Sequence, residues 1–251
     1  MFPELSDGQG YWLIALWILW AVLLFGGFIF GKLNAERTHR IPRWARMASS
    51  FMLVVAAWSW FAFADVFPQS YSLLIAIGMT LGFLGDLFMA QLIPLKDYVL
   101  GGIGSFGLGH IAYIIAFISF GNEHNLFSGN ESARWGAVLI WWLIALAGWY
   151  VVVFRGQKHT FLHYAALPYA LFLATTAGLA TGLAIHEAAF IPLAIGTALF
   201  LLSDLILAAQ LFNGLHFKMI GDVVWLTYGP AQMLIVYSVA SALAMGNLVL
   251  L

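Results

Sequence analysis

The segment Gly78–Gln91, with the sequence GMTLGFLGDLFMAQ, places one carboxylate, Asp86, inside a long apolar run. An ionised side chain at the centre of a bilayer costs about 2.5–3.5 kcal/mol on insertion scales, so such residues usually have a function. A second segment, Gly196–Gln210 (GTALFLLSDLILAAQ), repeats the arrangement around Asp204. In both segments the aspartate follows the first glycine by eight residues. Asp86 and Asp204 are therefore the first candidate functional residues.

The composition indicates a polytopic membrane protein. Of the 251 residues, 63% are hydrophobic and only 8% are charged, whereas soluble domains average about 25% charged residues. The net charge of −1 provides no basic surface, so no nucleic-acid partner is expected. The absence of cysteine excludes disulfides, thiol nucleophiles and cysteine metal sites. The N-terminal region lacks the features of a signal peptide, so its apolar run is expected to be a retained span.

Eight apolar stretches are long enough to cross a bilayer, which requires about 20 residues. They predict an all-α membrane protein that forms a single integral membrane domain over residues 1–251. Short connections predict that helices adjacent in sequence are antiparallel neighbours. The predicted spans are residues 11–31, 44–66, 71–93, 98–120, 134–154, 161–184, 189–212 and 222–248.

The distribution of lysine and arginine predicts the orientation. Nine of the ten basic residues lie in or beside odd-numbered connections, and only Arg134 lies on the other side. Cytoplasmic connections are enriched in these residues. Both termini are therefore expected to be non-cytoplasmic, in a bacterial inner membrane or an endoplasmic reticulum membrane alike. The nine are Lys32, Arg37, Arg40, Arg43, Arg46, Lys96, Arg155, Lys158 and Lys218.

The two aspartate segments predict a parallel internal repeat, in which spans three and four resemble spans seven and eight. Asp86 and Asp204 are 118 residues apart, and His110 and Tyr228 each follow their aspartate by 24 residues. Four spans separate the copies, so spans three and seven run in the same direction. Both acids are expected at one depth, in the cytoplasmic third of the membrane. Small residues beside them would let the helices approach closely.

Three further polar side chains are candidate supporting or substrate-binding residues. Tyr228 and Gln232 lie one turn apart on one face of span eight, and His110 lies nearer the midplane of span four. Hydrogen bonds that merely bridge helices would explain all three equally well. One deep histidine with two acids is a weak metal site, because zinc hydrolases usually have more nitrogen ligands, and no metal or other cofactor is predicted. Asp65 is expected to be a solvated helix end.

Two carboxylates at one depth in a medium of low dielectric cannot both ionise cheaply, so one is expected to hold a proton. Such a pair supplies one general acid and one base, which suits a reaction through an oxocarbenium-like cation. An acid-labile vinyl ether is a substrate of that kind, because protonation of its alkene carbon leads to water addition and to an aldehyde. A lipid with this bond would reach the site from the bilayer. Helix bridging and proton or ion movement remain alternatives.

Four motifs resemble those of the YhhN/TMEM86 family of lysoplasmalogenases. They are LGDLFM at 84–89, GHIAYI at 109–114, GTALFLLSD at 196–204, and WLTY at 225–228 followed by Ala231-Gln232. The resemblance covers spans three to eight. It implies hydrolysis of the alkenyl ether bond of lysoplasmalogen to a fatty aldehyde and glycerophosphoethanolamine or glycerophosphocholine, with Asp86 and Asp204 as the catalytic pair. The family usually has a Lys-Pro step before span two, where this chain has Ile41-Pro42-Arg43.

The expected partners are therefore the membrane and a lysoplasmalogen that enters from it, and the oligomeric state is not indicated. A proton-coupled lipid or small-molecule transporter is the alternative function, with the two aspartates as a relay. A lipid-binding regulatory protein is a third. Four cations of the odd connections are candidates for attracting the phosphate, besides fixing the topology. These are Lys96, Arg155, Lys158 and Lys218.

Overall fold

The computed structural model describes residues 5–64, 69–127, 131–156, 158 and 160–248, so Asp65 lies outside the described residues. Within these ranges, eight helices are long and apolar enough to cross a membrane, which confirms the predicted fold class. The chain is an integral, multi-pass membrane protein. The helices are α1 (Asp7–Phe30), α2 (Arg43–Phe63), α3 (Gln69–Met89), α4 (Tyr98–Glu123), α5 (Glu131–Phe154), α6 (Phe161–His186), α7 (Ala188–Asn213) and α8 (Ile220–Leu248).

The outer faces of the bundle are apolar and its polar side chains are inside. On α5, the side chains of Leu139, Ile140 and Leu143 are each more than half exposed. By contrast, the side chains of His110 and Gln232 are each 1% exposed. This arrangement suits a lipid environment, in which polar groups must find partners within the protein.

Helix α3 ends earlier than the sequence predicts, at Met89 instead of residue 93. Gln91 adopts a left-handed conformation with φ of 56°. The amide of Gln91 donates to the carbonyl of Phe88, and the amide of Leu92 donates to the carbonyl of Leu87. Such a left-handed residue is a common way to terminate a helix while satisfying its last carbonyls. Asp86 consequently lies in the last turn of α3.

Most helices that follow each other in sequence pack together, but α4 and α5 do not share a substantial interface. Helix α4 packs mainly against α3 and α6, while α8 packs against α7, α2 and α3. The helices α2, α3, α7 and α8 therefore meet around a common interior. The pairs α3–α4, α5–α6 and α7–α8 pack most extensively, and the internal repeat stays a prediction.

The connection between α1 and α2, residues 31–42 and here called the first loop, is docked on the beginning of α8. Asp222 is fully buried, and its two carboxylate oxygens accept the backbone amides of Arg40 at 2.6 Å and Ile41 at 3.0 Å. The amide of Gly221 in turn donates to the carbonyl of Thr38 at 3.0 Å. Because the first loop is held in this way, it covers one end of the bundle beside the last turn of α3.

Candidate functional site

Asp86 and Asp204 line one cavity, here called the polar cavity, with a volume of about 210 Å³. Asp86 comes from the last turn of α3, and Asp204 comes from the middle of α7. The structure thus brings together the two acids that the repeat singles out. Other polar side chains in the wall of this cavity are His39, Arg46, Gln91, Tyr98, Gln210, Trp225 and Tyr228.

Asp86 is 3% exposed and is held through one of its two oxygens. The hydroxyl of Ser50 on α2 donates to Oδ2 at 2.5 Å, and the hydroxyl of Tyr228 on α8 donates to the same oxygen at 3.1 Å. Both hydroxyls act on Oδ2, so Oδ1 is the oxygen that remains for a water molecule or a ligand. Ser50 was not predicted as a site residue, because a serine in an apolar helix commonly bonds its own backbone.

A chain of hydrogen bonds leads from the buried core to Asp86. The hydroxyl of Tyr113 donates to Oε1 of Gln232 at 3.0 Å, and Nε2 of Gln232 donates to the hydroxyl of Tyr228 at 3.1 Å. Every hydrogen in this chain points toward the Asp86 carboxylate, and such aligned bonds polarise each other. Gln232 therefore orients Tyr228. It is not among the residues that line the polar cavity. Tyr113 lies within the GHIAYI motif, three residues after His110, but its role depends on a contact across helices.

Two glycines of α3 leave space for the side chains of this hydrogen-bond network. A Cβ atom at Gly82 would lie 2.6 Å from Nε2 of Gln232, and one at Gly78 would lie 2.2 Å from the ring of Tyr113. The sequence predicts that small residues beside the acids let helices approach closely. The structure adds that the space is filled by the two polar side chains that position Tyr228.

Asp204 is less buried than Asp86 and has different partners. The hydroxyl of Tyr169 on α6 donates to Oδ2. The hydroxyl of the neighbouring Ser203 lies 3.3 Å from Oδ1, but it donates its hydrogen to the carbonyl of Phe200 at 2.8 Å. Tyr169 precedes Asp204 by 35 residues, and Ser50 precedes Asp86 by 36 residues. Each acid is thus held by a hydroxyl from the preceding helix. The two separations differ by one residue and the two residue types differ, so the sequence offers no clear signal for either partner.

A second, apolar cavity of about 100 Å³ begins at Asp204. Its wall comes from α4, α5, α6 and α7 together with Met89 at the end of α3, and Asp204 is the single charged residue among those that line it. Ile144, which is also part of the wall, is 44% exposed on the outer surface of α5. Part of α5 is π-helical, from Trp149 to Phe154, and this segment brings Trp149 and Val153 to the cavity. Asp204 therefore lies where a polar cavity meets an apolar one.

The model of the YhhN family matches residues 43–239, which is more than three quarters of the chain. This range contains every side chain of the hydrogen-bond network around the two acids. The chain belongs to the YhhN family. No match is found among curated proteins or among solved structures. In this YhhN protein, the match begins at the first residue of α2, so α1 and the first loop lie outside it.

His110 of this YhhN protein is not among the residues that line the two cavities. Its Nδ1 lies 3.0 Å from the hydroxyl of Thr176, which donates its own hydrogen to the carbonyl of Phe172. Nδ1 must therefore carry the hydrogen, and Nε2 is a buried acceptor without a partner among the described residues. The supporting role of His110 stays a prediction. Within the described ranges, no group of three or more metal-ligating side chains could hold a metal ion.

The first loop and α2 of the YhhN protein contribute His39 and Arg46 to the polar cavity. The sequence indicates Arg46 only as part of the basic bias that sets the orientation. The guanidinium of Arg46 lies over the ring of Trp225, 5.6 Å from its centre. His39 packs against α8, where a Cβ atom at Gly221 would lie 2.1 Å from its Nε2. Burial and the nearby Arg46 lower the pKa of His39 to about 4, so its ring is uncharged near neutral pH.

Proposed function

We propose that this YhhN protein is a lysoplasmalogenase, which hydrolyses the alkenyl ether bond of a lysophospholipid to a fatty aldehyde and glycerophosphoethanolamine or glycerophosphocholine. The observation that carries the proposal is the position of Asp204 at the junction of the polar and apolar cavities. A lysoplasmalogen has the same division, because its ether oxygen joins a long apolar chain to a polar glycerophosphate. Membership of the YhhN family supports the same assignment.

The two cavities suggest one orientation of the substrate. With its chain in the apolar cavity and its glycerophosphate in the polar cavity, the ether bond lies beside Asp204. Asp86, which lines only the polar cavity, faces the side from which water reaches the bond. The substrate enters from the bilayer between the outer helices, where Ile144 of the cavity wall is exposed.

In the proposed mechanism, Asp204 is the general acid. It donates a proton to the alkene carbon that is not bonded to oxygen, and the adjacent carbon becomes part of an oxocarbenium ion. The carboxylate of Asp86 stabilises this cation and accepts a proton from the water that attacks it. The resulting hemiacetal collapses: the ether oxygen leaves with the proton from Asp86, and the hemiacetal hydroxyl returns a proton to Asp204. One water is consumed, and both acids regain their starting states.

The hydrogen-bond network explains how Asp86 can serve this role repeatedly. Ser50 and Tyr228 hold Oδ2 from two helices, while Gln232 and Tyr113 fix the orientation of Tyr228. The free oxygen, Oδ1, therefore keeps its direction without the substrate. Preorganised groups of this kind stabilise a developing charge without having to rearrange during the reaction.

The direct test is an assay of the purified protein with a lysoplasmalogen and with its saturated-ether analogue. Aldehyde is expected only from the alkenyl lipid, since the saturated ether cannot form the oxocarbenium ion by protonation of carbon. In water enriched in ¹⁸O, the glycerophosphate product is expected to contain no ¹⁸O, because the bond that breaks is on the side of the alkenyl carbon. Absence of aldehyde with a folded, lipid-binding protein would refute the proposal.

A further inference from the structure

Arg46 is a cation of the polar cavity, and its guanidinium has a buried donor without an acceptor in the described part of the chain. It is the fourth residue of α2, and its Nε is buried without an acceptor among the described residues. A guanidinium has five N–H donors and no acceptor capacity. Leaving such donors unpaired in a buried place is unfavourable, and more so for a charged group. Because Arg46 lines the polar cavity, its guanidinium is placed to donate to an anion there.

The carboxylates of Asp222 and Asp86 attract the guanidinium of Arg46, but neither accepts a hydrogen bond from its Nε. Both oxygens of Asp222 accept backbone amides of the first loop, and Oδ2 of Asp86 accepts two hydroxyls. Oδ2 of Asp204 accepts the hydroxyl of Tyr169. Trp225 holds the guanidinium plane at the cavity wall by lying beneath it. Because His39 is uncharged near neutral pH, Arg46 is the cation that this wall presents to a ligand.

We propose that Arg46 binds the phosphate of the substrate, an inference that rests on the proposed function and assigns the group that its polar cavity recognises. A phosphodiester offers oxygen pairs that match the planar guanidinium, and such charge-assisted bonds are among the strongest in proteins. With the phosphate at Arg46 and the chain beyond Asp204, the ether bond is held between the two acids. Arg46 therefore selects alkenyl phospholipids over neutral alkenylglycerols.

The first experiment compares a lysoplasmalogen with the corresponding 1-alkenylglycerol, which has no phosphate. For Arg46→Gln, KM for the phospholipid is expected to rise about ten- to one-hundred-fold with little change in kcat, as for a contact made equally in ground state and transition state. The kinetics with alkenylglycerol should not change. Arg46→Lys keeps the positive charge but not the planar pair of N–H donors. Its KM for the phospholipid should lie between those of the wild type and Arg46→Gln. Equal losses with both substrates would overturn the proposal.

The matched control is Arg43→Gln. Arg43 lies three residues earlier on α2, is exposed, and is not part of the cavity wall. Its loss removes the same charge from the same end of the bundle and should change KM for neither substrate. If Arg43→Gln raises KM for the phospholipid as much as Arg46→Gln does, general attraction to the membrane surface accounts for the effect and the proposed site is wrong.

A binding experiment separates this inference from the proposed hydrolysis. The saturated 1-alkyl lysophospholipid binds without turnover, and its affinity is expected to fall at least tenfold in Arg46→Gln, measured by quenching of tryptophan fluorescence. Arg46-dependent binding by a protein that releases no aldehyde would refute the hydrolase and keep the phosphate site. If the protein releases aldehyde but Arg46→Gln leaves the affinity for the alkyl lipid unchanged, the hydrolase is supported and the phosphate site at Arg46 is refuted. If inorganic phosphate binds as tightly as the lipid, the site recognises free phosphate, and the headgroup assignment is wrong.

Discussion

Asp86 and Asp204 occur in similar motifs, yet their surroundings differ because different helices face them. Asp86 is enclosed by α2 and α8, and both of its hydroxyl partners bond the same oxygen. Asp204 lies at the border of two cavities and accepts the hydroxyl of Tyr169. The motif alone assigns the same role to both residues. In the proposed mechanism Asp204 is the acid, because it borders the apolar cavity, and Asp86 is the group that stabilises the cation and activates water.

Replacing either acid by its amide should nearly abolish hydrolysis. General acid–base catalysis contributes about 10²–10⁴-fold, so Asp204→Asn and Asp86→Asn are each expected to lower kcat by that factor. The measurement is aldehyde release from lysoplasmalogen under saturating conditions. Glu123→Gln, an exposed carboxylate at the end of α4, is the control and should retain full activity. If both asparagine variants turn over at the wild-type rate, the acid–base mechanism is wrong.

His39 makes the stability of the first loop depend on pH. Its pKa in the folded protein is about 4, below the ordinary 6.5, because burial and Arg46 on α2 outweigh the attraction of Asp222 on α8. As the pH falls below 6.5, the His39 imidazole is protonated in the unfolded chain while it is still neutral in the folded protein. The contribution of His39 to the free energy of unfolding is therefore fully present above about pH 6.5 and is lost progressively as the pH falls toward 4.

The expected result is that thermal unfolding temperatures of the wild type and of His39→Gln converge as the pH is lowered from 7.5 to 4.5 in one detergent. The difference between the two curves isolates His39 from the other groups that titrate in this range. Parallel curves over the whole range would show that His39 is not buried against α8 as described.

At the scale of the elements, α3 is shaped to accept polar side chains from its neighbours. Gly82 faces Gln232 of α8 at a distance that excludes a methyl group. Gly82→Ala should displace Gln232, disorient Tyr228 and lower kcat about tenfold, the effect of one hydrogen bond of about 1.4 kcal/mol. The measurement is the rate of aldehyde release by the folded variant.

The control for this variant is Gly104→Ala on α4, where an added Cβ atom meets nothing within 4 Å. This change has the same effect on backbone freedom and should leave the rate unchanged. A normal rate for Gly82→Ala, with its helix packing intact, would mean that the chain of bonds through Gln232 does not matter for catalysis.

The preceding helices α2 and α6 each supply a hydroxyl to the acid of the following helix. Ser50 on α2 bonds the acid of α3, and Tyr169 on α6 bonds the acid of α7, at separations of 36 and 35 residues. The predicted repeat begins at the glycine of each aspartate segment and does not include these helices. Serine and tyrosine share only a hydroxyl, which explains why similarity of residue type gives no signal there. The duplication itself stays a prediction.

At the scale of the whole molecule, the described residues contain eight helices that are long and apolar enough to cross a membrane. This even number predicts that the beginning of α1 and the end of α8 lie on the same side. The basic residues predict that this side is non-cytoplasmic. The chain has no cysteine, so single cysteines can report the orientation. Glu36→Cys in the first loop is expected to react with an impermeant maleimide only from the cytoplasmic side. Glu123→Cys should react only from the other side, and the opposite labelling pattern would reverse the orientation.

The same orientation would place the polar cavity near the cytoplasmic surface, because the first loop covers it. A glycerophosphate product would then leave toward the cytoplasm, while the aldehyde could return to the bilayer through the apolar cavity. If the protein were a transporter, a pH gradient would drive lipid across the membrane without any aldehyde. An assay in sealed vesicles that follows both flux and aldehyde distinguishes the two functions.

The sequence by itself determined the fold class and the approximate helix positions, because hydropathy is a local property. From a charge in an apolar run it also predicted the two acids, and it predicted Tyr228 and Gln232 from the motif WLTY at 225–228 followed by Ala231-Gln232. It did not identify Tyr113, Tyr169 or Arg46 as parts of the site. Those roles depend on contacts between distant parts of the chain, such as the bond from Tyr113 to Gln232 across 119 residues.

Only the tertiary structure decided that the two acids share a cavity and that an apolar cavity begins at one of them. The physical reason is that in lipid any apolar face can be turned outward at similar cost, so hydropathy does not specify which faces meet. The polar side chains decide which helix faces pack together, because each of them must form a hydrogen bond inside the protein. Asp86 accepts a hydrogen bond from Tyr228, 142 residues away in the sequence, and this bond positions α3 and α8 around the site.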